Sequence, residues 1–210
     1  MKDLRSEVIK YAKMLNSKKL SALRSGNISA RYKDGFLITP SGTKYSSLKS
    51  KDIVFVSLEG VFDKKKWIPS SEWRFHQDIY KNKIEAKAIV HAHSNYATAI
   101  STHGKGIPAF HYMVAMAGGN DIKCAKYATY GTRELSKHIL KALRQRNACL
   151  IGNHGQIAFS EYLPKAFELA EEVENLSNQY IKALKIGKPK ILSSKEMIKV
   201  LSKAKNYKKG

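Results

Sequence analysis

Cysteine is scarce in this chain of 210 residues, which contains only Cys124 and Cys149. The two stand far apart and lack the CxxC spacing of a zinc or redox motif. The sequence therefore predicts neither a disulfide framework nor a cysteine-rich metal site. Because unpaired cysteines are typical of a reducing compartment, we expect a cytoplasmic protein.

Long apolar runs are also missing from the sequence. No stretch reaches the roughly 18 apolar residues from which a membrane-spanning helix is predicted. The first residues, MKDLRSEVIKYAKML, interrupt their apolar positions with charges and lack the apolar core of a secretory signal. Because the chain has no internal repeat and no proline- or serine-rich linker, we expect residues 1–210 to form one domain.

Acidic residues are few, since 17 Asp and Glu stand against 38 Lys and Arg, for a formal net charge of +21. Such an excess suggests nucleic-acid binding as one hypothesis. The lysines are scattered, however, and no zinc finger, aromatic RNA-binding strand or helix-turn-helix pattern accompanies them. We therefore favour a solvated basic surface that attracts phosphorylated metabolites, and we expect no specific nucleic-acid partner and no membrane partner.

Hydrophobic spacing indicates an α/β domain with helices at both ends of the chain. The first helix is predicted from apolar residues at helical spacing: Leu4, Val8, Tyr11, Ala12 and Leu15. Other helices are predicted from Glu72 with Ser71 as its N-cap, over 95–103, over 132–146 and from Pro164 onward. Strands are predicted over 36–39, 53–57, 88–93, 149–151 and 156–159, and a turn over 25–29.

Three histidines form the first candidate site. His91 and His93 lie two positions apart in a predicted strand, so both side chains project from the same face. His154 lies in a predicted turn between two strands and could supply a third ligand from a distant part of the chain. Three neutral imidazoles favour zinc over magnesium or calcium, which prefer oxygen ligands. Taken alone, the His-Ala-His motif is equally consistent with two histidines that only end a strand.

Glu72 is the candidate carboxylate partner of these histidines. Its position at a predicted helix start also fits a simple interaction with the helix dipole. Beside zinc, a carboxylate can be a fourth ligand and can then move away to act as general acid or base. Both interpretations are open from the residues alone.

Three short polar segments are candidates for binding phosphate. They are residues 25–29, 39–43 and 69–71, and each offers hydroxyl groups or accessible backbone N–H groups. Each could be an ordinary turn, which has the same composition. Their combination with three histidines nevertheless suggests a joint phosphate and metal site.

These segments together resemble the class II aldolase/adducin family. The resemblance rests on SGNIS, ITPSG, PSSEWRFH, HAHS, IPAFHYMVAMAGGN and NHG, and it runs from about Gly26 to the helix after Pro164. It implies a three-layer α/β/α single domain around a mostly antiparallel central sheet. It also implies a C4-symmetric homotetramer with the active site between neighbouring subunits.

The resemblance implies roles for individual residues. Zinc would be held by His91, His93 and His154, with Glu72 as fourth ligand and as acid/base. Tyr112 matches a tyrosine that handles the aldehyde oxygen, and Tyr207 matches a C-terminal tyrosine that closes the site. The implied phosphate pocket consists of small and polar residues: Gly26, Asn27, Ser41, Gly42, Ser70 and Ser71.

The activity implied by the resemblance is that of a zinc-dependent aldolase. It would cleave a ketose 1-phosphate similar to L-fuculose 1-phosphate into dihydroxyacetone phosphate and an aldehyde such as lactaldehyde. Two other reactions on the same scaffold stay open, L-ribulose-5-phosphate 4-epimerisation and methylthioribulose-1-phosphate dehydration. A non-catalytic adducin-like interaction module is disfavoured, because the three histidines are all present.

The sequence departs from the family pattern at two places. Asn153 precedes His154 where we expect a second histidine, and the C-terminal tail over 206–210 is short and basic. Neither departure changes the implied metal ligands, so both bear on substrate preference instead.

Overall fold

The computed structural model describes residues 3–207, with side chains as far as residue 204. It contains nine strands: β1 Asn27–Tyr32, β2 Gly35–Ile38, β3 Val54–Ser57, β4 Ala88–Ala92, β5 Ile107–Pro108, β6 Asp121–Ile122, β7 Cys124–Ala125, β8 Ala148–Ile151 and β9 Gly155–Ser160. Seven of them form one sheet in the order β3-β2-β1-β4-β9-β8-β7, while β5 and β6 pair separately. All neighbours in the large sheet are antiparallel except β7 and β8. The predicted mostly antiparallel sheet is confirmed.

Six helices cover the sheet: α1 Leu4–Ser17, α2 Trp73–Asn82, α3 Asn95–Ser101, α4 Arg133–Ala142, α5 Leu163–Ile186 and α6 Ser194–Tyr207. Helices α1 and α5 pack on one face of the sheet, and α2 and α4 pack on the other. Alternation along β4 shows this, because Val90 joins a core with Val8 and Phe167, whereas Ile89 joins a core with Phe75 and Leu135. The three-layer α/β/α prediction is therefore confirmed.

Most predicted elements are present, with three corrections. Residues 27–29 belong to strand β1 rather than to a turn, because all three pair with β4 and Ser29 also pairs with β2. Ser71 does not cap α2, since Glu72 occupies the N-cap position and the helix begins at Trp73. The helix predicted over 132–146 ends at Ala142, after Thr132 caps its start. None of the helices described here is both long and apolar enough to cross a bilayer.

Gly26 marks the point where the chain enters β1 against the neighbouring strand. Its φ of +77° lies in the left-handed region, and a Cβ atom added there would lie 2.7 Å from the carbonyl oxygen of His91. Only glycine combines that backbone conformation with so close an approach. The approach brings the polar segment before β1 directly beside the end of β4.

Candidate metal centre

Four side chains from three separated parts of the chain converge at the end of the interior strand β4. Glu72 precedes α2, His91 lies in β4, His93 follows β4, and His154 lies in the turn between β8 and β9. One nitrogen or oxygen atom from each lies within 4.8 Å of all the others. The three imidazole rings form an even triangle, with all centroid separations equal to 4.8 Å. The structure thus brings the four predicted ligands together.

The orientation of His91 is fixed by the backbone of the neighbouring strand. Its Nδ1–H donates a hydrogen bond of 2.8 Å to the carbonyl oxygen of Gln156 in β9. In a neutral imidazole the other nitrogen then carries a lone pair. That nitrogen, Nε2, lies 3.0 Å from Nε2 of His93 and 3.1 Å from Oε2 of Glu72. Two atoms that can both accept lie at hydrogen-bond distance here, so either a second proton on the imidazole or a bound cation must lie between them.

The carboxylate of Glu72 is ionised in this setting. Burial favours its neutral form, but the neighbouring His91 and His154 outweigh burial and hold the pKa of Glu72 well below its usual range. Nδ2 of Asn27 donates a hydrogen bond of 3.0 Å to Oε2 of Glu72. The other oxygen, Oε1, lies 3.2 Å from Nε2 of His154, yet it is buried without a hydrogen-bond donor among the described residues. Oε1 of Glu72 is therefore an acceptor that is available to a cation.

His93 supports the same conclusion from the nitrogen side. Burial, with His91 and His154 close by, lowers the pKa of His93 to about 3, so its imidazole is neutral at physiological pH. Imidazole nitrogens together with one carboxylate suit a borderline transition metal such as zinc. Both the donor atoms and the unpaired carboxylate oxygen fit a bound metal ion, with Glu72, His91, His93 and His154 holding it.

A cavity of about 360 Å³ opens in front of this cluster. Glu72, His93 and His154 line it, whereas His91 is fully buried and does not. Its remaining wall includes every residue predicted to bind phosphate: Gly26, Asn27, Ser41, Gly42, Ser70 and Ser71. The predicted metal ligands and the predicted phosphate residues therefore share one cavity.

Hydrogen bonds tie the three polar segments to one another. Ser70 N–H donates to the carbonyl oxygen of Thr39 over 3.0 Å, and Ser41 N–H donates to that of Ile68 over 2.9 Å. The buried Tyr45 hydroxyl donates to the carbonyl oxygen of Gly26. These bonds hold the segments as a single wall, which leaves hydroxyl groups facing the cavity.

Six lining residues were not identified from the sequence, or were noted without a role: Arg24, Tyr45, Tyr127, Ala128, Tyr130 and Asn153. The guanidinium of Arg24 donates a hydrogen bond of 2.9 Å to the carbonyl oxygen of Gly42. Arg24 directly precedes SGNIS, and a positive charge next to a polar segment could have indicated a phosphate-binding residue. Tyr127 and Tyr130 lie in the loop before α4, where no spacing pattern distinguishes them from surface residues.

Tyr112, one of the two predicted catalytic tyrosines, does not line this cavity. It begins a short 3-10 helix, Tyr112–Ala117, and is 54% exposed. The other, Tyr207, is the last residue of α6, and its side chain lies outside the described part of the structure.

Comparisons with known proteins point in one direction. The profile of the Class II Aldolase and Adducin N-terminal domain matches residues 6–181. The chain is 48% identical over 204 residues to a 5-methylthioribulose-1-phosphate/5-deoxyribulose-1-phosphate aldolase of Rhodospirillum rubrum, covering 97% of this chain and 92% of that one. It is 49% identical over 184 residues to an L-fuculose phosphate aldolase of Escherichia coli, covering 87% and 85%. A solved L-fuculose 1-phosphate aldolase superposes with a TM-score of 0.93 at 39% identity, covering 98% and 97%.

The ligand cluster predicts about one transition metal ion per chain. His154→Ala removes one of four ligands and leaves Glu72 without its neighbour, so metal content should fall sharply after dialysis. His103→Ala removes an exposed histidine outside the cluster and should leave the content unchanged. Elemental analysis of both variants beside the wild type measures this. Equal metal content in all three proteins would show that the cluster is not the metal site.

Proposed function

We propose that this chain, which belongs to the class II aldolase and adducin family and is an aldolase, depends on zinc. It cleaves a deoxyketose 1-phosphate to dihydroxyacetone phosphate and a small aldehyde. We further propose that residues 1–210 act as one catalytic domain. The observation that carries the proposal is the shared cavity, in which the Glu72 and histidine cluster lies beside polar segments suited to a phosphate group.

Phosphate binding is the first task of the cavity. Ser41, Ser70 and Ser71 present hydroxyl groups along its wall, and Gly26 and Gly42 leave the adjacent backbone accessible. Hydrogen bonds to a charged phosphate are stronger than neutral ones. Arg24 lies on the same wall and adds a positive charge. We therefore place the phosphate at these segments and the ketose carbons toward the histidines.

Bond cleavage is assigned to the other end of the cavity. A zinc ion held by Glu72, His91, His93 and His154 would supply Lewis-acid polarisation of the ketose oxygens and stabilise the negative charge that develops. Cleavage of the C3–C4 bond removes a proton from the C4 hydroxyl and requires one at C3. Glu72 lines the cavity as a carboxylate, so it would first receive the proton that leaves the C4 hydroxyl and would then deliver it to C3.

A neighbouring subunit would complete the site. Tyr112 lies at the surface of a single chain, away from its own cavity, although it matches the family tyrosine that handles the aldehyde oxygen. We propose that a C4-symmetric homotetramer brings Tyr112 of one subunit to the cavity of the next, with Tyr207 closing the site from the C-terminus. The exposed phenol of Tyr112 would then relay the C4 hydroxyl proton, accepting it as its own O–H proton passes on toward Glu72.

The aldehyde portion of the substrate should end in an apolar group, either methyl or methylthio. The names of the two relatives refer to sugar phosphates with a deoxy or methylthio terminus. Tyr127 and Tyr130 line the outer part of the cavity, and aromatic faces suit such an apolar end. L-fuculose 1-phosphate, which releases lactaldehyde, is our first candidate substrate. The Rhodospirillum rubrum relative makes 5-deoxyribulose 1-phosphate or its methylthio analogue the second.

A product assay on zinc-loaded protein tests the reaction directly. We expect dihydroxyacetone phosphate from L-fuculose 1-phosphate or 5-deoxyribulose 1-phosphate, detected with a coupled dehydrogenase, and loss of activity after chelation. Borohydride should trap no lysine adduct, because the proposed chemistry forms no imine. L-ribulose 5-phosphate tests the epimerase alternative, and methylthioribulose 1-phosphate tests the dehydratase alternative. Epimerised or dehydrated products without any carbon–carbon cleavage would contradict the proposal.

Glu72→Gln separates proton transfer from metal binding. Because three histidines remain, the variant should keep most of its zinc, while turnover should fall by roughly 10²–10⁴ as a positioned acid/base is lost. Turnover and zinc content should be measured on the same preparation. Glu59→Gln, at an exposed position away from the cavity, serves as control. Near-normal turnover in a zinc-loaded Glu72→Gln enzyme would show that Glu72 does not transfer the proton.

Ser71→Ala tests the phosphate assignment. Loss of one hydrogen bond to a charged group should lower kcat/KM for the ketose 1-phosphate by roughly 10- to 150-fold. The same variant should match the wild type on the unphosphorylated ketose, which never forms that contact. Ser47→Ala, in an exposed turn that does not line the cavity, is the matched control. Equal losses on both substrates would show that Ser71 supports the fold and does not bind phosphate.

A further inference from the structure

A fully buried histidine outside the ligand cluster is connected to it through one amide side chain. His76 lies in α2, and its Nε2 contacts Oδ1 of Asn27. We infer that His76 is a positioning residue, which holds the Asn27 amide in the one orientation that links the metal ligand Glu72 to the phosphate-side Ser70. The inference rests on the proposed function, since it assigns the metal and the phosphate to these two ends.

Both hydrogens of the Asn27 amide are committed. Nδ2 donates to Oε2 of Glu72 over 3.0 Å and to Oγ of Ser70 over 3.1 Å. Rotating the amide by half a turn would place its carbonyl oxygen against the Glu72 carboxylate, where two acceptors repel each other. The observed orientation leaves Oδ1 pointing away from the cavity, so a donor is needed on that side.

His76 supplies that donor, and its other ring nitrogen is hydrogen-bonded in turn. Burial and the nearby His91 lower the pKa of His76 to about 3, so the ring is neutral and has one N–H. The Tyr80 hydroxyl lies 2.8 Å from Ser29 Oγ, which lies 2.7 Å from His76 Nδ1. Because Oδ1 of Asn27 can only accept, Nε2 of His76 carries the N–H, and Nδ1 then accepts a hydrogen bond from Ser29, which in turn accepts one from Tyr80.

The spacing of two elements makes this chain of hydrogen bonds possible. Asn27 and Ser29 are two residues apart in β1 and therefore lie on the same face of the sheet. His76 and Tyr80 are four residues apart in α2 and lie on the same side of the helix. All four residues are at most 2% exposed, so bulk water does not compete for these hydrogen bonds. The polar row is thus built into the packing of α2 on β1.

Two amide substitutions distinguish the two ring nitrogens. In His76→Gln the side-chain N–H can reach the position of Nε2 and still donate to Asn27. In His76→Asn the shorter amide retains a polar group near Ser29 but cannot reach Asn27. We expect zinc affinity, measured by chelator competition, to stay close to wild type in the first variant. It should fall about 10- to 100-fold in the second, as is typical when a partner of a metal ligand is lost.

The control and a second readout separate positioning from general damage. Gln77→Leu removes a neighbouring α2 side chain, which donates to the carbonyl oxygen of Leu58 away from the cavity. It should lower the melting temperature without changing zinc affinity. With cobalt(II) in place of zinc, the visible absorption spectrum should change in His76→Asn and not in His76→Gln or Gln77→Leu, because only the first alters the orientation of Glu72.

A double variant tests whether His76 acts through Asn27. If it does, Asn27→Leu combined with His76→Asn should lose no more zinc affinity than Asn27→Leu alone. Additive losses, equal losses in His76→Asn and Gln77→Leu, or no recovery in His76→Gln would each overturn the inference. A wild-type protein that binds no metal would instead overturn the proposed function, and His76 would then have no ligand to orient.

Discussion

The contact between His91 Nε2 and the Glu72 carboxylate is the constraint on which the site depends. Without a proton or a cation between them, both atoms are acceptors, and they lie 3.1 Å apart in a buried region where their repulsion would be poorly screened. Because Nδ1–H of His91 is engaged by the Gln156 carbonyl, Nε2 is the nitrogen that faces the carboxylate. A cation among the four ligands would turn this repulsion into attraction, so the four side chains are arranged to hold a bound cation.

The sheet provides the rigidity that such a constraint requires. His91 lies in β4, which is paired on both sides, with β1 and β9. Asn27 is the register partner of His91 in β1, and Gln156 lies in β9, so both neighbouring strands contribute to the orientation of the ligands. Helix α2 then places Glu72 at its start and His76 one turn later. The positions of the four candidate ligands therefore follow from the register of the sheet and from the packing of α2 on it.

The sequence was informative wherever function depends on local spacing. The two-residue interval between His91 and His93 predicted a shared face, and the structure places both nitrogens 3.0 Å apart. The Ser-Gly-Asn composition was misleading, because strand pairing with β4 outweighs the turn preference of residues 27–29. The cavity wall at Tyr127 and Tyr130 depends on the path of a loop, for which the sequence has no periodic signal. Family, fold class and aldolase activity were predicted from the ordered motifs and are confirmed.

The bond from His91 to the Gln156 carbonyl also has a consequence for how the protein folds. It joins residues 65 positions apart, and the chain between them contains α3, α4 and β8. Closing so long a segment costs entropy before any contact repays it, so we expect the β4–β9 pairing to form late. A metal ion would meet the complete set of ligands only after that step, so it would bind the native state and draw the folding equilibrium toward it by mass action. Metal supply in the cell would thereby influence how much of the newly made enzyme persists, as well as how fast it turns over.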